Sequence, residues 1–186
     1  NTRMSRLRAE LPFACWHGDR QHLGWNPAAG VTTDVADFLR WTAEAGLAPD
    51  LTSSPALLAA GEQPALAPHQ KQALYQAIDL WRGPFLDGFS CDSAHFEKWV
   101  LGERRRWEQR MLGVLQLLVA AERADGRWEH VLAAARRALE VDPLQEPFHR
   151  VVIEALLRLG NRSAALAEMK RAQALLRERL GTVADA

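Results

Sequence analysis

The sequence predicts a mainly α-helical fold: a stack of helix pairs preceded by a short helix and a β-hairpin. Three observations predict it. Gly126 and Gly160 stand 34 residues apart, and similar small and apolar residues follow each: Val131, Leu132, Ala135 and Ala138 after the first, Ala165, Leu166, Met169 and Ala172 after the second. From Asp34 onward apolar residues recur at helical spacing, with no convincing strand. Before that, aromatic-rich segments flank a Gly18-Asp19 step, the pattern of a hairpin turn.

In chain order, Met4, Leu7 and Leu11 share one face of a helix that Pro12 ends, and Arg3, Arg6 and Arg8 occupy its other faces. Residues 13–25 form the hairpin, and Asn26-Pro27 and Gly30 lead out of it. Val35, Phe38, Leu39 and Thr42 mark a short helix with Asp34 as its cap. Residues 49–68 make a loose, proline-containing connection, with one helical turn at Ala56–Ala60. Residues 69–81 are helical, with Leu74, Ala77, Ile78 and Trp81 on one face, until Arg82-Gly83-Pro84 breaks the pattern. Phe85, Leu86 and Phe89 lie in an apolar connector.

A long helix capped by Asp92 then runs from about Ser93 to Ala124, some 45–50 Å at 1.5 Å per residue, with Gly102 and Gly113 as bend points. Helices follow at Trp128–Val141, stopped by Asp142-Pro143, and at Pro147–Leu159, with proline in the first turn. The last is Arg162–Leu180, capped by Asn161 and ended by Gly181. Leu118 and Val119 answer to Val152 and Ile153 one period on. A 34-residue period with glycine between two amphipathic helices is the pattern of tetratricopeptide-like pairs. One such pair cannot bury its apolar face alone, so neighbours must stack. Leu118, Val119, Leu132, Val152, Leu156 and Leu166 are expected to be buried together, with Ala138 and Ala165 at close helix contacts.

Composition bounds the function. Formal net charge is zero, so bulk charge makes no case for nucleic acid, although residues 1–30 and 103–110 are locally basic. The two cysteines, Cys15 and Cys91, lack CxxC spacing, which fits a reducing cytoplasm. No apolar run approaches the ~18 residues of a membrane span, and no signal-peptide pattern opens the chain. Cys91 and His95 stand i,i+4, but a metal site needs more ligands, so neither metal nor cofactor is expected. There is no glycine-rich phosphate loop, GxSxG or HExxH, and no enzyme is expected. Arg104, Arg105, Arg106 and Arg110 read as the wet face of a helix, and Trp41, Trp81, Trp99, Trp107 and Trp128 as core. The opening at Asn1 suggests a piece of a longer protein.

The order of these features resembles a known family. The segment Asp34-Val35-Ala36-Asp37-Phe38 precedes the connector Leu80-Trp81-Arg82-Gly83-Pro84-Phe85-Leu86-Asp87-Gly88-Phe89. A long Trp/Arg-bearing helix follows, and the helix pairs close with Leu176-Arg177-Glu178-Arg179-Leu180-Gly181. Over about residues 31–183 this is similar to the bacterial transcriptional activator domain of SARP/AfsR-type regulators. In that family the helical domain follows an OmpR-type winged helix. The resemblance implies two domains: residues 1–30, the end of a recognition helix and the wing, and residues 31–186, the tetratricopeptide-like domain. It implies DNA contacts by Arg3, Arg6, Arg8 and Arg20 in the parent protein, with DNA binding residing largely in the rest of the winged helix. This fragment is therefore expected to bind DNA weakly and without sequence preference. It implies a cytoplasmic regulatory module without catalytic activity, whose partners are RNA polymerase, another domain of the same regulator, or a second copy in a homodimer.

The faces opposite the buried stripes nominate a partner groove: Gln116 and Arg123 on the long helix, and Arg150, Glu154, Leu157 and Arg158 one period later, forked donors for an acidic or mixed peptide. Two other classes stay open. A peptide-binding tetratricopeptide scaffold has no use for the basic helix and hairpin. An effector-sensing helical domain requires a sizeable apolar pocket.

Overall fold

A computed structural model of the protein describes residues 16–18, 23–26, 29–30, 32–48, 65–90 and 92–180. The chain divides into two units, Asn1–Asp37 and Phe38–Ala186. In the first, strands β1 (Trp16–Gly18) and β2 (Leu23–Trp25) pair antiparallel, with Trp16 opposite Trp25 and Gly18 opposite Leu23. The expected helix over residues 1–11 and the helical turn at 56–60 lie outside the described residues, as does Gly181.

Helix α1 (Asp34–Glu44) is capped by Thr33 rather than Asp34. The Thr33 hydroxyl accepts from the Ala36 amide at 3.1 Å, while the Asp34 carboxylate, inside the helix, accepts from Val35. Helix α2 (Pro68–Asp79) begins with proline, whose missing N–H costs nothing in a first turn. Gln70 accepts from the Ala67 amide and donates to the Ala45 carbonyl at 3.2 Å, which ties the start of α2 to the end of α1.

Helix α3 (Ala94–Ala124) is capped by Ser93, whose hydroxyl accepts from the Phe96 amide, so Asp92 is not its cap. Its second half is the axis of the fold. Every residue from Met111 to Glu122 is buried, on all faces, because α3 is enclosed by the helices around it. Helices α4 (Trp128–Val141), α5 (Glu146–Arg158) and α6 (Arg162–Leu180) follow, and each consecutive pair from α2 to α6 packs together. The Asp142 carboxylate accepts from the Leu144 amide where Pro143 turns the chain, and Asn161 caps α6 by accepting from Ala164. Among the described residues no helix is long and apolar enough to cross a membrane.

The repeated glycines end their helices identically. Gly126 and Gly160 take φ of 71° and 78°. Gly126 donates to the Arg123 carbonyl and Arg127 to Glu122; one period on, Gly160 donates to Leu157 and Asn161 to Leu156. These paired bonds satisfy carbonyls left open at a helix end, in a left-handed conformation that an L side chain disfavours.

Most of the predicted stack is buried: Leu118, Val119, Val152, Leu156, Ala138 and Ala165, with Leu132 packed at its edge. One expectation fails. Leu166 is 56% exposed, because no helix covers that side of α6 among the described residues.

Polar ties hold the stack in register. His149 is buried; its Nε2 lies 2.9 Å from the Pro143 carbonyl, which can only accept, so that nitrogen carries the hydrogen. Its Nδ1 lies 2.7 Å from Glu168 on α6. At the other end, Lys71 of α2 pairs with Asp125, and the Tyr75 hydroxyl donates to the fully buried Glu122 at 3.1 Å. Burial first, and then the Glu122 charge, push the Tyr75 phenol up to about 12 from its ordinary 10.0. The raised value means the folded state favours the neutral phenol. That contribution is complete below pH 10.0 and is lost as pH rises toward 12. Tyr75→Phe is therefore expected to cost about 1–3 kcal/mol at neutral pH by removing a donor from a buried carboxylate. It should also flatten the fall in stability across that alkaline window, as followed by denaturant titration at stepped pH.

Candidate protein-interaction surface

The connector and the exposed half of α3 build one surface. After α2, two successive turns form, the Asp87 amide donating to Pro84 at 3.1 Å and the Phe89 amide to Leu86 at 3.2 Å. Gly88 supplies a positive φ of 71°, and Leu86 also adopts one, 50°. A left-handed leucine costs roughly 1–2 kcal/mol and persists only where its surroundings impose it. Arg104 is the restraint: its Nε donates to the Phe85 carbonyl at 2.9 Å and its Nη2 to the Leu86 carbonyl at 2.8 Å. This corrects the reading of the arginine run as a solvated face. Arg104 clamps the connector and Arg110 lies 4.7 Å over the Trp107 ring, whereas Arg106 pairs with Glu103 at the surface and Arg105 is exposed.

The clamped connector completes a ladder of rings from core to solvent. Buried Phe38 meets Trp107 edge-on at 5.8 Å, and Trp107 stacks on Phe85 at 6.2 Å. Phe85 meets Trp99 at 6.0 Å, Trp99 meets Phe96 at 5.5 Å, and Phe96 meets Phe89 at 5.5 Å. On α3 the contributing rings are those of Phe96, Trp99 and Trp107, along one helical stripe. The outer rungs face water: Trp99 is 50% exposed, Phe89 53% and Leu86 40%. Trp99 is therefore not core: it lies on the open side of α3, whereas Val100, next to it in sequence on another face, is fully buried. Trp41, Trp81, Trp107 and Trp128 do pack against the core. A contiguous aromatic patch on a rigid helix is the composition of an interaction site, since such residues dominate contact energies.

The groove nominated from spacing is broken up. Gln116 is buried inside the core and offers no surface. Arg123 reaches across to Glu154 at 2.7 Å, so that pair ties α3 to α5. Arg150 is exposed beside Glu146, Arg158 lies 5.1 Å over the Trp128 ring, and Leu157 is exposed. Arg3, Arg6, Arg8 and Arg20 lie outside the described residues, as does Cys91. Among the described residues no three His, Cys, Asp or Glu gather as metal ligands. The cleft between Phe38, Leu39, Thr42, Leu47, Ala48, Arg110 and Val114 has a volume of about 10 Å³, room for one water and no effector.

Sequence reasoning found the ladder's residues but not the ladder. Pro84 and Asp87-Gly88 signal turns, whereas nothing marks Leu86 as left-handed or Arg104 as its clamp. Comparison with curated proteins gives no match. The family model for the bacterial transcriptional activator domain matches residues 50–186, which contain the connector, the ladder from Phe85 outward and both helix pairs. The chain belongs to the bacterial transcriptional activator domain family, a family of transcription-regulator domains.

Proposed function

We propose that the chain is the protein-interaction module of a cytoplasmic SARP/AfsR-type transcription activator, and that its aromatic ledge is the contact surface. The clamped cluster of Phe89, Phe96 and Trp99, in which Phe89 and Trp99 are exposed, carries this reading. A folded protein seldom leaves neighbouring aromatic rings to water on a locked backbone without a partner for them. The partner is RNA polymerase, another domain of the regulator, or a second copy. In this reading DNA is held by a winged helix of which residues 1–30 are the C-terminal part; the antiparallel pairing of β1 with β2 supports taking that segment as the wing. Catalysis has no place in this reading.

The test uses the full-length regulator carrying Trp99→Ser with Phe89→Ser. Promoter activation should fall about tenfold or more, the scale of lost aromatic anchors. The far-ultraviolet circular dichroism spectrum and gel-shift affinity for DNA should be retained, and Trp99→Phe should restore much of the activation. Arg150→Glu with Arg158→Glu should have the smaller effect. Full activation by the double serine variant overturns the ledge as the contact surface.

A further inference from the structure

Among the described residues, the last helix pair presents an apolar surface that the period of the stack marks as a docking place. Residues 34 apart occupy equivalent positions, so Leu132 and Ala135 of α4 answer to Leu166 and Met169 of α6. In the first pair these positions lie under cover: Ala135 is buried and Leu132 packs against the core. In the second pair Leu166 is 56% and Met169 39% exposed, although Ala165 and Ala172 on the adjoining face are buried. A second equivalence points to the same place. Arg123 of α3 meets the next first-position helix by pairing with Glu154 at 2.7 Å. Its counterpart one period later is Leu157, 52% exposed. Both positions that receive a following helix in the first pair are thus apolar and open in the second.

Charge selects the occupant. Helical spacing places Arg162, Lys170 and Arg177 beside the Leu166–Met169 stripe, and all three are exposed. The acidic residue nearest the stripe in sequence, Glu168, is turned inward onto His149 at 2.7 Å. The face is therefore apolar with a basic rim. Two copies meeting through it would bring these cations together, which disfavours self-pairing. We infer that the Leu157, Leu166 and Met169 surface takes up an amphipathic helix with acidic flanks from a partner protein, stacked where the next helix of the period would lie. Leucine and methionine suit such a groove, since both adapt to an incoming apolar face. The inference stands apart from the aromatic ledge, which lies on other elements.

The test is fluorescence anisotropy of the whole 186-residue chain with two labelled designed helical peptides of identical leucine stripe, one flanked by glutamate and one by lysine. The glutamate-flanked peptide should bind at least about tenfold more tightly. Leu166→Glu should abolish that binding, with the far-ultraviolet spectrum unchanged because the residue is exposed, and Trp99→Ser should leave it intact. Equal affinity for the two peptides, or binding indifferent to Leu166→Glu, overturns the inference. So does a dimer in sedimentation velocity that Leu166→Glu dissociates, since the face would then belong to a second copy.

Discussion

Leu156→Ala is expected to lower the unfolding free energy by about 2–5 kcal/mol, while Leu166→Ala, ten residues later, should stay within about 0.5 kcal/mol. The two leucines differ in cover, not chemistry. Leu156 is buried in the shared core, whereas Leu166 faces water on α6. Truncating the first removes apolar contacts and leaves a cavity among neighbours already packed on other sides. Truncating the second changes little that folding had removed from water. Parallel urea titrations with unchanged m-values give both numbers. A comparable loss for Leu166→Ala would mean that α6 is covered on that face.

Arg127→Ala should cost about 3–5 kcal/mol, an unusual loss for a half-exposed arginine. The reason is its partner. The Glu122 carboxylate is fully buried, with the Tyr75 hydroxyl on Oε1 and the Arg127 Nε 3.0 Å from Oε2. Among the described residues Oε2 accepts no hydrogen bond, so the guanidinium meets it only as a charge. Removing that charge strands an anion in the core. Replacing both, Glu122→Leu with Arg127→Leu, should recover most of the loss, because the burial penalty goes with the pair. A double variant as unstable as Arg127→Ala alone would show that the cost comes from lost packing of the arginine stem.

The helix pairs were legible because their signals are local. A glycine at positive φ, a proline in a first turn and an asparagine cap act within a few residues, and Gly126, Gly160, Pro147 and Asn161 behave as their chemistry requires. Caps with two adjacent candidates were misassigned by one residue, Asp34 for Thr33 and Asp92 for Ser93, since either side chain can accept from the first turn. The enclosure of α3 was written in the run Met111–Ala121, apolar on every face except Gln116. Reading that run by spacing alone left Gln116 on an outer stripe that does not exist. The candidate surface was least legible, because it depends on which faces remain uncovered. A period identifies equivalent positions, as with Leu132 and Leu166, but not whether a neighbour follows. The role of Arg104 depends on the backbone of Leu86, 18 residues away in sequence.

Site-specific crosslinking in the activated promoter complex tests the central claim most directly. A photoreactive phenylalanine analogue is placed at position 99 of the full-length regulator and, separately, at position 150. The aromatic ledge predicts a strong protein adduct from position 99, formed only in the activating complex, and little from position 150. An adduct from position 150 with none from position 99 would contradict it, and would place the partner on the Arg150–Arg158 face of α5.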